Sequence, residues 1–325
     1  MNWESLFDPS ALQAALRIAT PLLLAALGGA LTHHAGIFNI ALEGMMLVGA
    51  FAAVTVSYFT SNWLLGVMAG LAAGALIGLL YGVFTVSLKS DFIIIGIAIN
   101  LFSLGLTTYL MRAIFHVKAG VLSPRIQPIP NIQFPFLNNL GIVNTIINNQ
   151  SLFTYVSWIL VVILWFLIYR TPFGLHLRAA GENPEALETA GVSVTSTRYV
   201  SAIGSGILCV LAGAHLALGY LNQYIINISS GRGFIALAAV LFGGGNPAII
   251  FGVSVLFGFA ESLSIRFQGL GVPGYFALMI PYIVTILSLV FWSIQKQRKP
   301  RGMYSKRFHY QKGGSIDETI RVGDR

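Results

Sequence analysis

Apolar runs of about 20 residues alternate with short polar breaks along most of this chain. About 20 residues is the length an α-helix needs to cross the ~30 Å hydrocarbon layer of a bilayer. The runs cover residues 11–31, 37–59, 63–88, 92–115, 152–169, 199–218, 247–267 and 275–294. A ninth apolar segment, 234–243, is too short to cross alone and reads as a broken or partial crossing. Two longer polar stretches interrupt the series: 116–150, rich in Pro and Asn, and 170–198. The pattern predicts an all-α polytopic helix bundle of about nine crossings, some of them broken.

Lys and Arg set the orientation, because cytoplasmic connections carry an excess of them. From Lys296 onward there are nine Lys or Arg against three Asp or Glu, so most of the net charge of +8 sits in this tail. Arg170, Arg178 and Arg198 surround the second polar stretch, whereas the first holds only Lys118 and Arg125. Tail and second stretch are therefore expected inside, and the first stretch and the N-terminus outside. The parity closes at nine if 234–243 crosses. The expected organisation is an extracellular N-terminus (1–10), a transmembrane domain (11–294) and a cytoplasmic basic tail (295–325). The start has no basic segment before an apolar run and no small-residue cleavage site, so no removable signal peptide is expected.

Composition narrows the class. Hydrophobic residues make up 56% and charged ones 9% of the 325 residues, far from the ~25% charge of soluble domains. A basic tail directly after an apolar run fits membrane orientation better than a nucleic-acid arm. The single cysteine, Cys209, lies in an apolar run and is expected to pack. There is no GxxxxGK[ST] for ATP, no HExxH and no metal-spaced His/Cys cluster, and Gly204-Ser-Gly206 lacks the leading glycine of a nucleophile elbow. Neither covalent chemistry nor a metal is expected.

Within the apolar runs, two features point further. Gly66, Gly70, Gly74, Gly78 and Gly82 recur every four residues, a smooth stripe on which a neighbouring backbone can approach closely. Polar residues at membrane depth are functional candidates by default. Asn39 and Glu43 are four apart and would share a helix face, with Gly36 and Gly44 permitting a break beside them. Arg17 is a possible partner for the carboxylate, and Glu261 and Arg266 are further candidates. Glu43 either lines a path or bonds the backbone of a broken helix. Asn100, Ser103 and Thr107 also share one face. These neutral groups suit hydroxyls and amides better than fixed charge.

The stretch 178–191 (RAAGENPEALETAG) is a polar island that reads as a helical stub. Asn183 caps its start, Pro184 takes the first helical position, Glu185 meets the positive dipole end and Gly191 stops it. A stub this short is unstable alone, so something must dock against it. Glu182 and Glu188 complete an acidic surface for a soluble partner.

The runs 36–50 (GIFNIALEGMMLVGA), 180–191 (AGENPEALETAG) and 231–247 (GRGFIALAAVLFGGGNP) resemble ABC importer permeases of the nucleoside and simple-sugar branch, related to ribose and branched-chain amino-acid permeases. The resemblance spans about residues 11–292. It implies a fold similar to the cobalamin permease, a bacterial cell-membrane location and a translocation path between two permease subunits. The island, Gly181 to Gly191, would be the coupling helix seated in a cytoplasmic ABC ATPase, which holds the ATP and Mg; this chain needs no cofactor. Further implied partners are a non-identical second permease, this chain looking like the shorter, and an extracellular substrate-binding lipoprotein. A simple-sugar permease and an ATPase-independent secondary transporter are the alternatives.

Overall fold

The computed structural model describes residues 9–135 and 141–269, with single helical positions at 279, 283 and 290. The expected last crossing (275–294) and the basic tail lie largely or wholly outside the described residues. Those described provide seven helices long and apolar enough to span, plus one shorter apolar helix.

The spanning helices are α1 (Pro9–His34), α2 (Leu42–Thr60), α3 (Trp63–Gly82, continued by a π-helical turn Val83–Ser87) and α4 (Phe92–Phe115). Then come α6 (Leu152–Arg170), α9 (Val194–Ala214, continued by a π-helical turn His215–Tyr220) and α11 (Pro247–Gly269), α5 being the short helix Ile142–Ile147. Between α6 and α9 lie α7 (Pro172–Glu182) and α8 (Pro184–Thr189), and between α9 and α11 the twelve-residue α10 (Arg232–Gly243).

The middle of α1 is buried all round, and Leu22, Leu23, Leu24 and Leu27 are at most 1% exposed. It packs against α9, α10 and α11. In contrast α4 buries one stripe, Gly96, Ile99, Ser103, Thr107 and Met111, and leaves Ile94, Leu101 and Tyr109 outward. Such large exposed apolar side chains belong in lipid or against another membrane chain.

The glycine stripe of α3 lies in a crevice between α2 and α9. A Cβ added at Gly74 would sit 2.7 Å from the Gly206 carbonyl oxygen, and one at Gly78 2.6 Å from that of Ala202. At Gly66 it would meet the Ala53 carbonyl at 2.5 Å, at Gly70 the Val210 side chain at 3.1 Å, and at Gly82 the Tyr199 ring at 3.0 Å. Backbone approaches this close leave no room for a side chain at the first, third and fourth positions, and dispersion between the helices is gained in return.

The polar stretch 116–150 is tied down rather than free. Its strand β1 (Gly120–Val121) pairs antiparallel with β4 (Tyr224–Ile225), and β2 (Asn131–Ile132) with β3 (Gln150–Ser151). The Ile129 N–H also donates to the Leu218 carbonyl at 2.9 Å. These bonds satisfy the backbone of a long connection and fix the loop that leads from α9 to α10.

Candidate functional site

Two helices begin inside the bundle, and their starts meet. Residues 35–41 form an irregular stretch after α1, opened by Gly36 at φ +76°, and α2 starts only at Leu42. The α9–α10 loop turns back through Asn227, Ser230 and Gly231, all at positive φ, to start α10 at Arg232. At 1.5 Å per residue, α10 runs about 18 Å. Beyond its far end the Gly245 carbonyl lies 3.1 Å from His34 Nε2, next to the end of α1. One end of α10 thus meets the start of α2, and the other lies next to the end of α1.

Glu43 joins the two starts. Its Oε1 accepts from Ser229 Oγ and from the Gly231 N–H at 2.8 Å, and its Oε2 accepts from the Gly233 N–H at 2.6 Å. The two N–H donors, Gly231 and Gly233, lie at the α10 N-terminus, where orphan N–H groups and the helix dipole favour negative charge. The partner considered from sequence, Arg17, is not the one found. An ion pair instead links Arg232 to Glu261, while Arg266 donates to Ser10 Oγ at 2.9 Å.

Asn39 does not share a helix face with Glu43, because it precedes α2. Its Oδ1 accepts from the Ala41 N–H at 2.9 Å, closing a local turn, and its Nδ2 donates to Ser205 Oγ of α9 at 3.0 Å. Asn100 reaches the same stretch from α4. Its Oδ1 accepts from the Gly44 N–H at 2.7 Å and its Nδ2 donates to the Ile40 carbonyl at 3.0 Å. Ser103 and Thr107 follow on the same face, both buried, with Thr107 Oγ1 donating to the Ser103 carbonyl at 2.8 Å. Ser103 Oγ has no partner among the described residues.

Beside this junction, between α2, α4 and α10, an open cleft of ≈ 250 Å³ is lined by Glu43, Asn100, Leu101, Asn227 and Phe234, among others. Sequence reasoning missed Asn227, Phe234 and the Ser229–Gly233 donors. The signal available was Gly231-Arg-Gly233 in front of a short apolar run, two glycines where a backbone comes close to another. Indeed a Cβ at Gly233 would lie 2.5 Å from the Glu43 Cα.

At the other end of α10, the polar island forms as its local chemistry dictates. Asn183 Oδ1 accepts from the Ala186 N–H at 3.1 Å, Pro184 takes the first turn, and Gly191 turns at φ +80° with its N–H on the Glu188 carbonyl at 2.9 Å. Within α8 only Leu187 is buried, and Gly181, Glu182, Glu185 and Glu188 are exposed. The island is longer than its sequence suggests: Arg178 belongs to α7, which starts at Pro172, and its guanidinium lies 5.5 Å from the Tyr169 ring. The stub is braced on the bundle. A Cβ at Gly36 would sit 2.9 Å from the Gly181 Cα, and Arg198 of α9 donates from Nε to the Ala35 carbonyl (3.2 Å) and from Nη2 to that of Ala180 (3.1 Å). One side chain therefore holds the end of α7 to the start of the break that leads to Asn39 and Glu43. Among the described residues no group of three His, Cys, Asp or Glu is placed to hold a metal.

The profile of the family described as "Branched-chain amino acid transport system / permease component" matches residues 11–289. A guanosine ABC transporter permease of Bacillus subtilis, NupQ, is 36% identical over 85% of this chain and 89% of its own length. A putative glucose ABC transporter permease of Haloferax volcanii, TsgC13, is 34% identical over 81% of this chain and 79% of its own. A nucleoside ABC transporter permease of Lactococcus lactis, NupC, is 32% identical over 84% and 89%. No solved structure matches. With a family match over residues 11–289 and its multiple apolar spans, the chain belongs to this family of ABC transporter permeases, multi-pass transport subunits of the cytoplasmic membrane.

Proposed function

We propose that this chain is one permease subunit of an ATP-driven importer for nucleosides. As a family member it works with an ATPase and a binding protein. A second, non-identical permease completes the complex, with the path between the two, in an architecture similar to that of the cobalamin permease. The ATPase docks on α8, which puts that face in the cytoplasm and the 116–150 connection outside.

The observation that carries the coupling reading is the braced, exposed α8. A six-residue helix has no reason to stay ordered unless its ends are fixed. Here they are fixed by Asn183 and Gly191, and Arg198 ties the preceding turn to the break before α2. A push on α8 is therefore delivered to Asn39 and Glu43 through packed backbone. The substrate class rests on the relatives, two of whose names specify guanosine or nucleosides, and on the neutral amides at the junction. The glucose relative favours a simple sugar as second reading; a sugar also offers hydroxyls to the same amides.

Uptake of labelled uridine, adenosine and ribose, in cells with and without this gene, separates the two. Loss of nucleoside uptake is expected. Loss of ribose uptake alone sinks the nucleoside assignment and leaves the permease assignment standing.

A further inference from the structure

The cleft between α2, α4 and α10 is mostly apolar, but Asn100 and Asn227 place amides in it where a lipid-facing surface should have none. Asn100, near the middle of the spanning helix α4, is partly exposed, and Asn227, on the same cleft, is exposed. Amides left against hydrocarbon cost several kcal/mol, so this face meets water or another protein chain. At ≈ 250 Å³ the cleft is smaller than the ~300–1,000 Å³ of complete small-ligand sites. It is also open on one side, as half of a site would be.

We infer that this cleft is this chain's half of the substrate site on the path, that the exposed ring of Phe234 stacks on a nucleobase and that the Asn227 amide reads the base edge. The inference rests on the nucleoside reading above and goes beyond it by naming the site. The charges of the neighbourhood are already engaged. Both oxygens of Glu43 accept from Ser229, Gly231 and Gly233, and Arg232 is paired with Glu261. What the cleft offers a ligand is an aromatic face, amides and an apolar wall. Phe234 is 50% exposed and Leu101, across the cleft on α4, is 67% exposed. Asn227 is held at φ +57° by its own turn, its carbonyl accepting from Ser230 N and Oγ. Its side chain thus stands at the mouth on a fixed backbone. A neutral, flat, hydrogen-bonding ring fits this chemistry; a charged amino acid finds no free counter-charge there. Asn100 holds α2 with one amide N–H and one lone pair, which leaves a second of each for a ribose hydroxyl.

The test uses the complete importer, with its ATPase, partner permease and receptor, in proteoliposomes. Losing a base–aromatic stack costs about tenfold or more. Phe234→Ala should therefore lower nucleoside uptake about tenfold, and Asn227→Ala severalfold, while the complex still assembles. Phe234→Tyr should restore uptake to within about twofold of wild type, as stacking requires. Should Phe234→Ala fail to assemble, Asn227→Cys in a Cys209→Ala background decides: alkylation that stops uptake, and is slowed by millimolar uridine, supports the site. Uptake by both alanine variants within twofold of wild type, or alkylation of Asn227→Cys with no effect on uptake, overturns it. A wild-type complex that carries ribose and not nucleosides refutes the nucleoside reading instead, whatever the variants do.

Discussion

Glu43→Gln is the sharpest perturbation of the junction. The substitution keeps size and shape but exchanges one acceptor oxygen for a donor NH₂. Glu43 faces three donors: Ser229 Oγ, the Gly231 N–H and the Gly233 N–H. A glutamine oxygen can serve the two on one side or the one on the other, so at least one buried N–H is left opposite an NH₂. A buried donor without its partner costs about 1–3 kcal/mol, and a hydrogen bond to a charged group contributes about 1.5–3 kcal/mol. The net loss should be about 2–4 kcal/mol. At about 2 °C per kcal/mol for a chain of this size, the melting temperature falls by about 4–8 °C. The protein carries its own reporter. Cys209 is its only cysteine and is fully buried, so a thiol-reactive fluorophore reads unfolding of the purified protein in detergent. Glu43→Asp, one methylene shorter, should fall between wild type and glutamine. A Glu43→Gln protein that melts within about 1 °C of wild type and transports at the full rate would show that the carboxylate does not hold α2 to α10.

Three further outcomes follow from the geometry. Gly78→Ala should destabilise the protein strongly, because its Cβ would come 2.6 Å from the Ala202 carbonyl, whereas Gly105→Ala and Gly252→Ala, with nothing within 4 Å, should melt at or slightly above wild type; equal melting of all three would refute the packing of α3 on α9. Arg198→Lys can hold only one of the Ala35 and Ala180 carbonyls as Arg does, and Gly191→Val forces a β-branched residue to φ +80°. Both should lower uptake severalfold with normal membrane insertion, and full uptake by both would remove α8 from the coupling route. In a Cys209→Ala background, Asn131→Cys should react with an impermeant thiol reagent in intact cells and Glu188→Cys only after permeabilisation; the reverse result inverts the proposed orientation.

Sequence alone was sufficient wherever the deciding physics is local. The spans follow from run length against bilayer thickness, and the described residues place seven of them where the apolar runs lie, with α10 as the short segment. The caps of α8 were legible because Asn183, Pro184 and Gly191 act on backbone within three residues of themselves. The glycine period of α3 showed that one face is smooth. It could not show which helices use that face, because periodicity along one helix carries no information about its neighbour. The start of α2 was misplaced for a related reason. Asn39 has helical spacing to Glu43, yet its amide is turned into a local bond and a contact with Ser205, 166 positions away. Tertiary structure alone decided the partners of the polar groups. Glu43 meets donors 186 to 190 residues distant, Arg198 reaches Ala35 across 163, and a two-residue strand at 120–121 pairs with one at 224–225. Inside a membrane backbone polar groups must be satisfied within the protein, and a buried side chain without a partner is costly. The sequence shows which groups need partners, and the fold determines which partners come within hydrogen-bond distance.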